Sequence, residues 1–158
     1  MKMSSKVTIS RARLSDLKAL IELENKAFHA DRFSPDQLKH LLTKAKGAVL
    51  ILRDGKKVAG SATVLWREGD SVARLYNLVV DPYFHGRGFG RRLLEAAERV
   101  ALDIGRKVMS LEVRKDNEAA VSLYTRSGYK VTETLPGYYA GSATGLRRGW
   151  SPSHTAIV

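Results

Sequence analysis

The chain has 158 residues, 44% hydrophobic and 27% charged, enough for one globular domain with a real core. It has no cysteine, which excludes disulfides, thiolate metal sites and an acyl-cysteine intermediate; no apolar run reaches membrane-span length, and the opening MKMSSKVTIS lacks the apolar core of an export signal. Lys and Arg number 27 against 16 Asp and Glu, a net charge of +11 that draws anionic ligands, nucleic acid or acidic membranes, or simply gives a basic solvated surface.

Residues 7–12, VTISRA, alternate apolar and polar and predict an edge strand. Ser15-Asp16 offers an N-cap to a helix whose face is Leu17, Leu20, Ile21, Leu23, Glu24 and Ala27. Ser34-Pro35 predicts a second helix start, serine capping and proline first, with Leu38, Leu41, Leu42 and Ala45 inward and Gly47 ending it. Residues 48–52 read as a strand and Asp54-Gly55 as a hairpin turn. Residues 57–66 return, with Gly60 marking a bulge or a close approach. After the turn at 68–70, residues 72–80 complete an antiparallel meander.

Leu78, Val79 and Val80 make a short buried-strand ending, and Asp81-Pro82 stops it because proline has no amide for the ladder. His85, Gly86, Arg87, Gly88, Phe89 and Gly90 then form a loop with glycine at alternate positions. A helix follows from about 87 to 104 and stops at Gly105. Residues 108–113 predict a strand parallel to 72–80, and Asp116-Asn117 opens a helix through Ala119, Ala120, Val121, Leu123 and Tyr124 that ends at Ser127-Gly128. Residues 129–135 return as a strand broken by Pro136-Gly137. Beyond that, only 143–148 has strand character, weakened by Gly145. One domain is expected over residues 1–158, with its core at about 7–146 and a poorly ordered tail at 147–158.

The loop at 85–90 carries the first functional signal. A glycine loop opening a helix leaves backbone N–H groups unpaired at the positive end of the helix dipole, which suits a phosphate; Arg87, Arg91 and Arg92 add charge there. The same glycines could serve loop geometry alone. The spacing is not the Rossmann fingerprint, and no Gly-Lys-Ser/Thr follows to make a P-loop.

The stretch Val80-Asp81-Pro82 followed by Gly88-Phe89-Gly90 resembles the coenzyme A loop of the GNAT acetyltransferases, with His85 standing where that pattern has Gln or Arg. Asn117-Glu118-Ala119-Ala120, Leu123-Tyr124 and Gly128-Tyr129 resemble the second signature of the same family. Leu111-Glu112-Val113-Arg114 resembles its RimI-type branch, which acetylates protein N-terminal amines. Residues 31–34, DRFS, depart from the Pro-Trp-Ser usual there.

The resemblance implies an α/β fold, a mixed, mostly antiparallel sheet splayed at its middle with helices on both faces. It implies direct transfer of acetyl from acetyl-CoA to a primary amine, with no metal. Leu78, Val79, Val80, His85, Gly86, Arg87, Gly88, Phe89, Gly90, Arg91, Asn117, Ala120 and Tyr124 would bind the cofactor, the amides of Val79 and Val80 meeting the acetyl carbonyl. Glu112 would be the general base and Tyr124, twelve positions on, the acid for the departing sulfur. Each has a plainer role open to it: Glu112 as a surface carboxylate paired with Arg114 or Lys107, Tyr124 as packing, Asn117 as a cap. The four histidines show no metal-ligand spacing. The acceptor would be a protein or peptide N-terminus, met in the cytoplasm by a monomer or homodimer, with no membrane and no nucleic acid beyond ribosome proximity. A small-molecule amine as acceptor, or an acyl-CoA-binding module without turnover, are the alternatives.

Overall fold

The computed structural model describes residues 6–27, 33–43, 46–114, 116–135 and 145–150. Seven strands form one sheet: β1 (Val7–Arg11), β2 (Gly47–Asp54), β3 (Lys57–Trp66), β4 (Val72–Val80), β5 (Val108–Arg114), β6 (Lys130–Leu135) and β7 (Gly145–Trp150). Their order across the sheet is β1-β2-β3-β4-β5-β7-β6. Every neighbouring pair is antiparallel except β4 and β5, which run parallel because α3 (Phe89–Asp103) crosses over between them. The mixed sheet expected from the family resemblance is thus present.

Helices cover both faces. α1 (Leu17–Ala27) and α2 (Pro35–Thr43) bring Leu20 and Leu38 onto Val49 and Ile51. The opposite face holds the larger core, where Leu93, Leu94, Ala97 and Ala101 of α3 and Tyr124 of α4 (Glu118–Arg126) lie over Leu52, Ala62, Val64, Leu75 and Leu111. The two sets of strand residues alternate along β2, as a strand buried on both faces requires.

The local signals act as their chemistry predicts in most places. Ser34 accepts from the Gln37 amide (3.1 Å) and Gln37 returns a bond to the Ser34 amide (2.8 Å), a capping box that starts α2 at Pro35. Gly55 turns the β2–β3 hairpin at φ 64°. Gly60 marks both a bulge and a close approach: Ala59 is the extra residue between two register positions, and a Cβ on Gly60 would fall 2.7 Å from the Val79 carbonyl.

Three expectations change. Asp16 closes a short 3-10 turn by accepting from the Arg13 amide, so α1 begins after it, at Leu17. Gly47 opens β2 instead of ending α2, with no room for a Cβ beside the Val64 carbonyl (2.6 Å). Residues 147–150 are not part of a loose tail; β7 reaches Trp150, paired with β5 on one side and β6 on the other. Two-sided pairing holds Gly145–Trp150 in place where its own composition offers no alternation to read. Ala45, the departure at 31–32, Pro136-Gly137, the start of the expected strand at 143–144, and the last residues 151–158 lie outside the described residues.

The feature that positions a site is a fork in the sheet. β4 and β5 pair only from Val72–Val108 to Leu75–Leu111. At the next residue of β4, Tyr76 is an unpaired bulge against β3, since Thr63 opposes Asn77 and Val64 opposes Leu75. A bulge bends and twists its strand, and from this point β4 runs on to Val80 without β5.

Candidate active site

Beyond the fork, the free edge of β4 presents backbone groups to the gap. Asp81 donates its amide to the Ala59 carbonyl of β3 at 2.8 Å. Residues in an antiparallel ladder alternate which edge they face, so Val79 also faces β3, while Leu78 and Val80 turn their amides toward the gap. This corrects the expected pair by one position: Leu78 and Val80, not Val79 and Val80, can meet a carbonyl there. His85 Nε2 lies 3.0 Å from the Val80 carbonyl, so this side chain ties the loop to the strand end.

The loop then rises into α3. Asp81 accepts from the Tyr83 amide (2.9 Å) and caps a 3-10 turn at Pro82–Phe84. Gly86 and Gly88 sit at φ 80° and 78°, where a side chain is strained, and no atom lies within 4 Å of where a Cβ would be. Gly88 caps α3, and the Arg92 amide makes the first helical bond back to it (3.2 Å). The amides of Phe89, Gly90 and Arg91 therefore have no helical acceptor and point out of the helix start. Phe89 is buried against Phe84, which anchors the turn. Gly90 packs under Leu123 of α4, a Cβ there falling 3.4 Å from its side chain. This open, amide-lined cradle fits a pyrophosphate.

The arginines behave differently from the backbone. Arg87 turns back over Phe84 (5.1 Å) toward Asp54 (3.6 Å), and Arg91 leans on Glu95 (3.4 Å). The cradle is thus built from amides, with these charges at its rim. Asn117 caps α4 by accepting from the Ala120 amide (3.2 Å), and Ala120 is half-buried against the core.

Tyr124 and Glu112 belong to opposite faces of the sheet. Tyr124 is 6% exposed, within the α3-side core and edge-on to Tyr129 at 5.8 Å. Glu112 lies between Leu111 and Val113, both in that core, so its own side chain takes the other face. It accepts from Arg74 Nη2 at 2.5 Å, a partner that the sequence did not offer. The Glu112 side chain is 10% exposed and that of Arg74 44%.

Four residues of this face, Arg74, Tyr76, Asn77 and Glu24, were not among the sequence candidates. Arg74 lies 5.0 Å from the Tyr76 ring, and Phe33 stacks on Tyr76 at 5.4 Å. Glu24 of α1 is only 3% exposed and accepts from Asn77 Nδ2 at 3.0 Å, just past the bulge. A buried carboxylate on an otherwise apolar helix face was the signal that could have singled out Glu24. Among the described residues no three His, Asp or Glu side chains gather to hold a metal, and no helix is long and apolar enough to cross a membrane.

The fork, the glycine-capped helix and the helix that follows β5 are the parts from which the site is built. The model of the Acetyltransferase (GNAT) family matches residues 15–129, and the chain belongs to that family. It is 34% identical to the N-alpha-acetyltransferase RimI of Mycobacterium tuberculosis, over 84% of each chain. The ribosomal-protein-S18-alanine N-acetyltransferase of Escherichia coli superposes with a TM-score of 0.84 at 26% identity, covering 97% of this chain and 96% of that one. The PaiA N-acetyltransferase of Thermoplasma acidophilum, solved in complex with coenzyme A, shares the fold at a TM-score of 0.76 and 18% identity, covering 90% of this chain and 98% of that one. The protein is an N-acetyltransferase, an enzyme of a family that uses acetyl-CoA.

Proposed function

We propose that this enzyme acetylates the α-amine at a protein or peptide N-terminus. The observation that supports the reading is Glu112, one residue past the last β4–β5 pair and turned away from the core that holds Tyr124. The amides of Phe89, Gly90 and Arg91 would hold the pyrophosphate, and those of Leu78 and Val80 would lie along the arm and the acetyl carbonyl. Glu112 would take the proton from the attacking amine, directly or through a water. As the new C–N bond forms and the C–S bond breaks, Tyr124 would supply a proton to the leaving sulfur. Acetyl is the group that acetyl-CoA brings when bound. The relatives named RimI and ribosomal-protein-S18-alanine N-acetyltransferase support an α-amine as acceptor.

An α-amine has a pKa of about 8, within reach of a carboxylate base, whereas a lysine amine near 10.4 is harder to deprotonate. The test is a pH–rate profile for wild type and Glu112→Gln on a peptide with a free α-amine and blocked lysines. Glu112→Gln should lower the rate, and raising the pH should restore part of it as bulk deprotonation replaces the base. Coincident profiles would remove Glu112 as base. Reaction only at lysine side chains would leave an acetyltransferase with a different acceptor.

A further inference from the structure

Arg74 is bonded to the proposed base, and its surroundings fix its direction. One face of the guanidinium lies over the Tyr76 ring at 5.0 Å, and Nη2 is bonded to Glu112 at 2.5 Å. Tyr76 is in turn stacked on Phe33 at 5.4 Å. The guanidinium has five N–H donors, and one bond to Glu112 leaves others to offer. With 44% of its side chain exposed, Arg74 presents them on the α1 face, at the mouth of the fork. Tyr76, 43% exposed, supplies the apolar shelf beside them.

Charge balance gives this arrangement a consequence. While Glu112 is ionised, it and Arg74 neutralise each other. A protonated amine that approaches adds one positive charge beside this pair. When Glu112 has accepted the amine's proton, the proton count is unchanged, but Arg74 has lost its counter-ion in a partly buried setting. A carboxylate on the acceptor, close to the reacting amine, would supply that counter-ion and bond to the donors that Arg74 leaves open. A basic group in the same place would add to the excess.

We propose that Arg74 is a specificity-determining residue that selects acceptors bearing a carboxylate next to the reacting amine and rejects those bearing a cation there. This rests on the reading of Glu112 as the base that faces the acceptor. Two sources carry the chemistry: an acidic side chain at the second position of a peptide, or the α-carboxylate of a free amino acid.

The experiment uses conjugates of CoA joined through an acetyl bridge to the α-amine of Ala-Asp, Ala-Ala and Ala-Arg peptide amides, and of alanine and alaninamide. Binding to wild type, Arg74→Gln and Arg74→Lys is measured by calorimetry, beside turnover of the corresponding free amines with acetyl-CoA. Wild type should bind the Ala-Asp conjugate about tenfold or more tighter than the Ala-Arg conjugate. Arg74→Gln should erase that difference, and Arg74→Lys should keep part of it. A larger gap between alanine and alaninamide than between the peptides would name the α-carboxylate as the ligand. Equal binding of acidic and basic conjugates by wild type overturns the proposal, as does a preference that survives in Arg74→Gln. A uniform loss across all conjugates would also overturn it, leaving Arg74 as a positioning residue for Glu112. Charge-selective binding without turnover of any free amine would sustain Arg74 while rejecting α-amine transfer. Turnover without charge preference would do the reverse.

Discussion

The two faces of the central sheet are built for different work. Under α3, the inward residues of β2 to β5 are Leu52, Ala62, Val64, Ala73, Leu75, Met109 and Leu111, all essentially sealed from solvent. On the α1 side, the same strands carry Ser61 and Thr63, both buried, then Arg74, Asn77 and Glu112, with Glu24 facing them from α1. Apolar burial is favourable at about 25 cal/mol per Å², while buried polar groups cost free energy unless bonded. One face is therefore apolar throughout, while the other combines a smaller apolar core with hydrogen-bonding groups beside the fork. Tyr124 is the proposed exception that joins them: a member of the apolar core whose hydroxyl would serve the reaction.

Breaking the reactive side should leave the structural side intact. Tyr124→Phe keeps the ring and its edge contact with Tyr129 but removes the hydroxyl. Turnover at saturating substrate should fall by about 10²–10⁴-fold, with acetyl-CoA affinity and melting temperature nearly unchanged. Steady-state kinetics beside a thermal melt read both; full turnover would make Tyr124 a packing residue.

The converse break is Leu93→Ala. Leu93 is fully buried at the centre of the α3 face. Unfolding in urea should show a loss of about 2–5 kcal/mol, set by how far the cavity collapses. Below the unfolding transition, the pH dependence of turnover should keep the wild-type shape, because no titrating group of the other face has moved.

Gly88→Val strikes where the two faces meet the helix start. A β-branched residue at φ 78° costs on the order of 1–3 kcal/mol of strain and places atoms beside the open amides. CoA affinity should drop by about tenfold or more in a protein that still folds. Unchanged affinity by calorimetry would mean that these amides do not form the cradle.

The smallest effect lies at the rim of the structural face. Tyr129 Oη donates to Glu98 Oε2 at 2.8 Å across α3. Burial pushes the Glu98 carboxyl above its ordinary value, only partly countered by that bond, and the nearby Glu95 charge pushes the same way. With the folded value raised, the native state holds more protons than the unfolded chain in the window just above the ordinary carboxyl range. Stability therefore falls as pH rises through that window. Glu98→Gln can still accept from Tyr129 and has no charge to desolvate. Melting temperature against pH, from about 4.5 to 7, should be flatter for the variant; an identical slope would assign the pH dependence to other groups.

Much of the fold was legible because its signals are short-ranged. The Ser34-Pro35 start, the Asp54-Gly55 hairpin, the glycines of 86–90 and the Asn117 cap each act within a few residues, and each is found in the conformation its chemistry favours. The apolar spacing along 93–101 likewise placed the α3 core face without knowledge of its partner strands. The family pattern added Glu112 and Tyr124, whose spacing is local to one strand–helix unit.

What tertiary structure alone decided is which distant groups meet. The bulge that releases β4 at Tyr76 exists only as a register mismatch with β3, and the swap of Val79 for Leu78 at the gap follows from that pairing. Arg74 and Glu112 are 38 positions apart, and Glu24 and Asn77 53 apart; neither pairing has a local signature. Gly145–Trp150 became a strand because β5 and β6 both had an edge to offer. Turn chemistry and periodicity are properties of the chain near one residue, so the sequence carries them by itself. Register, and the partner that a side chain finds across it, depend on contacts that form only when the whole sheet closes.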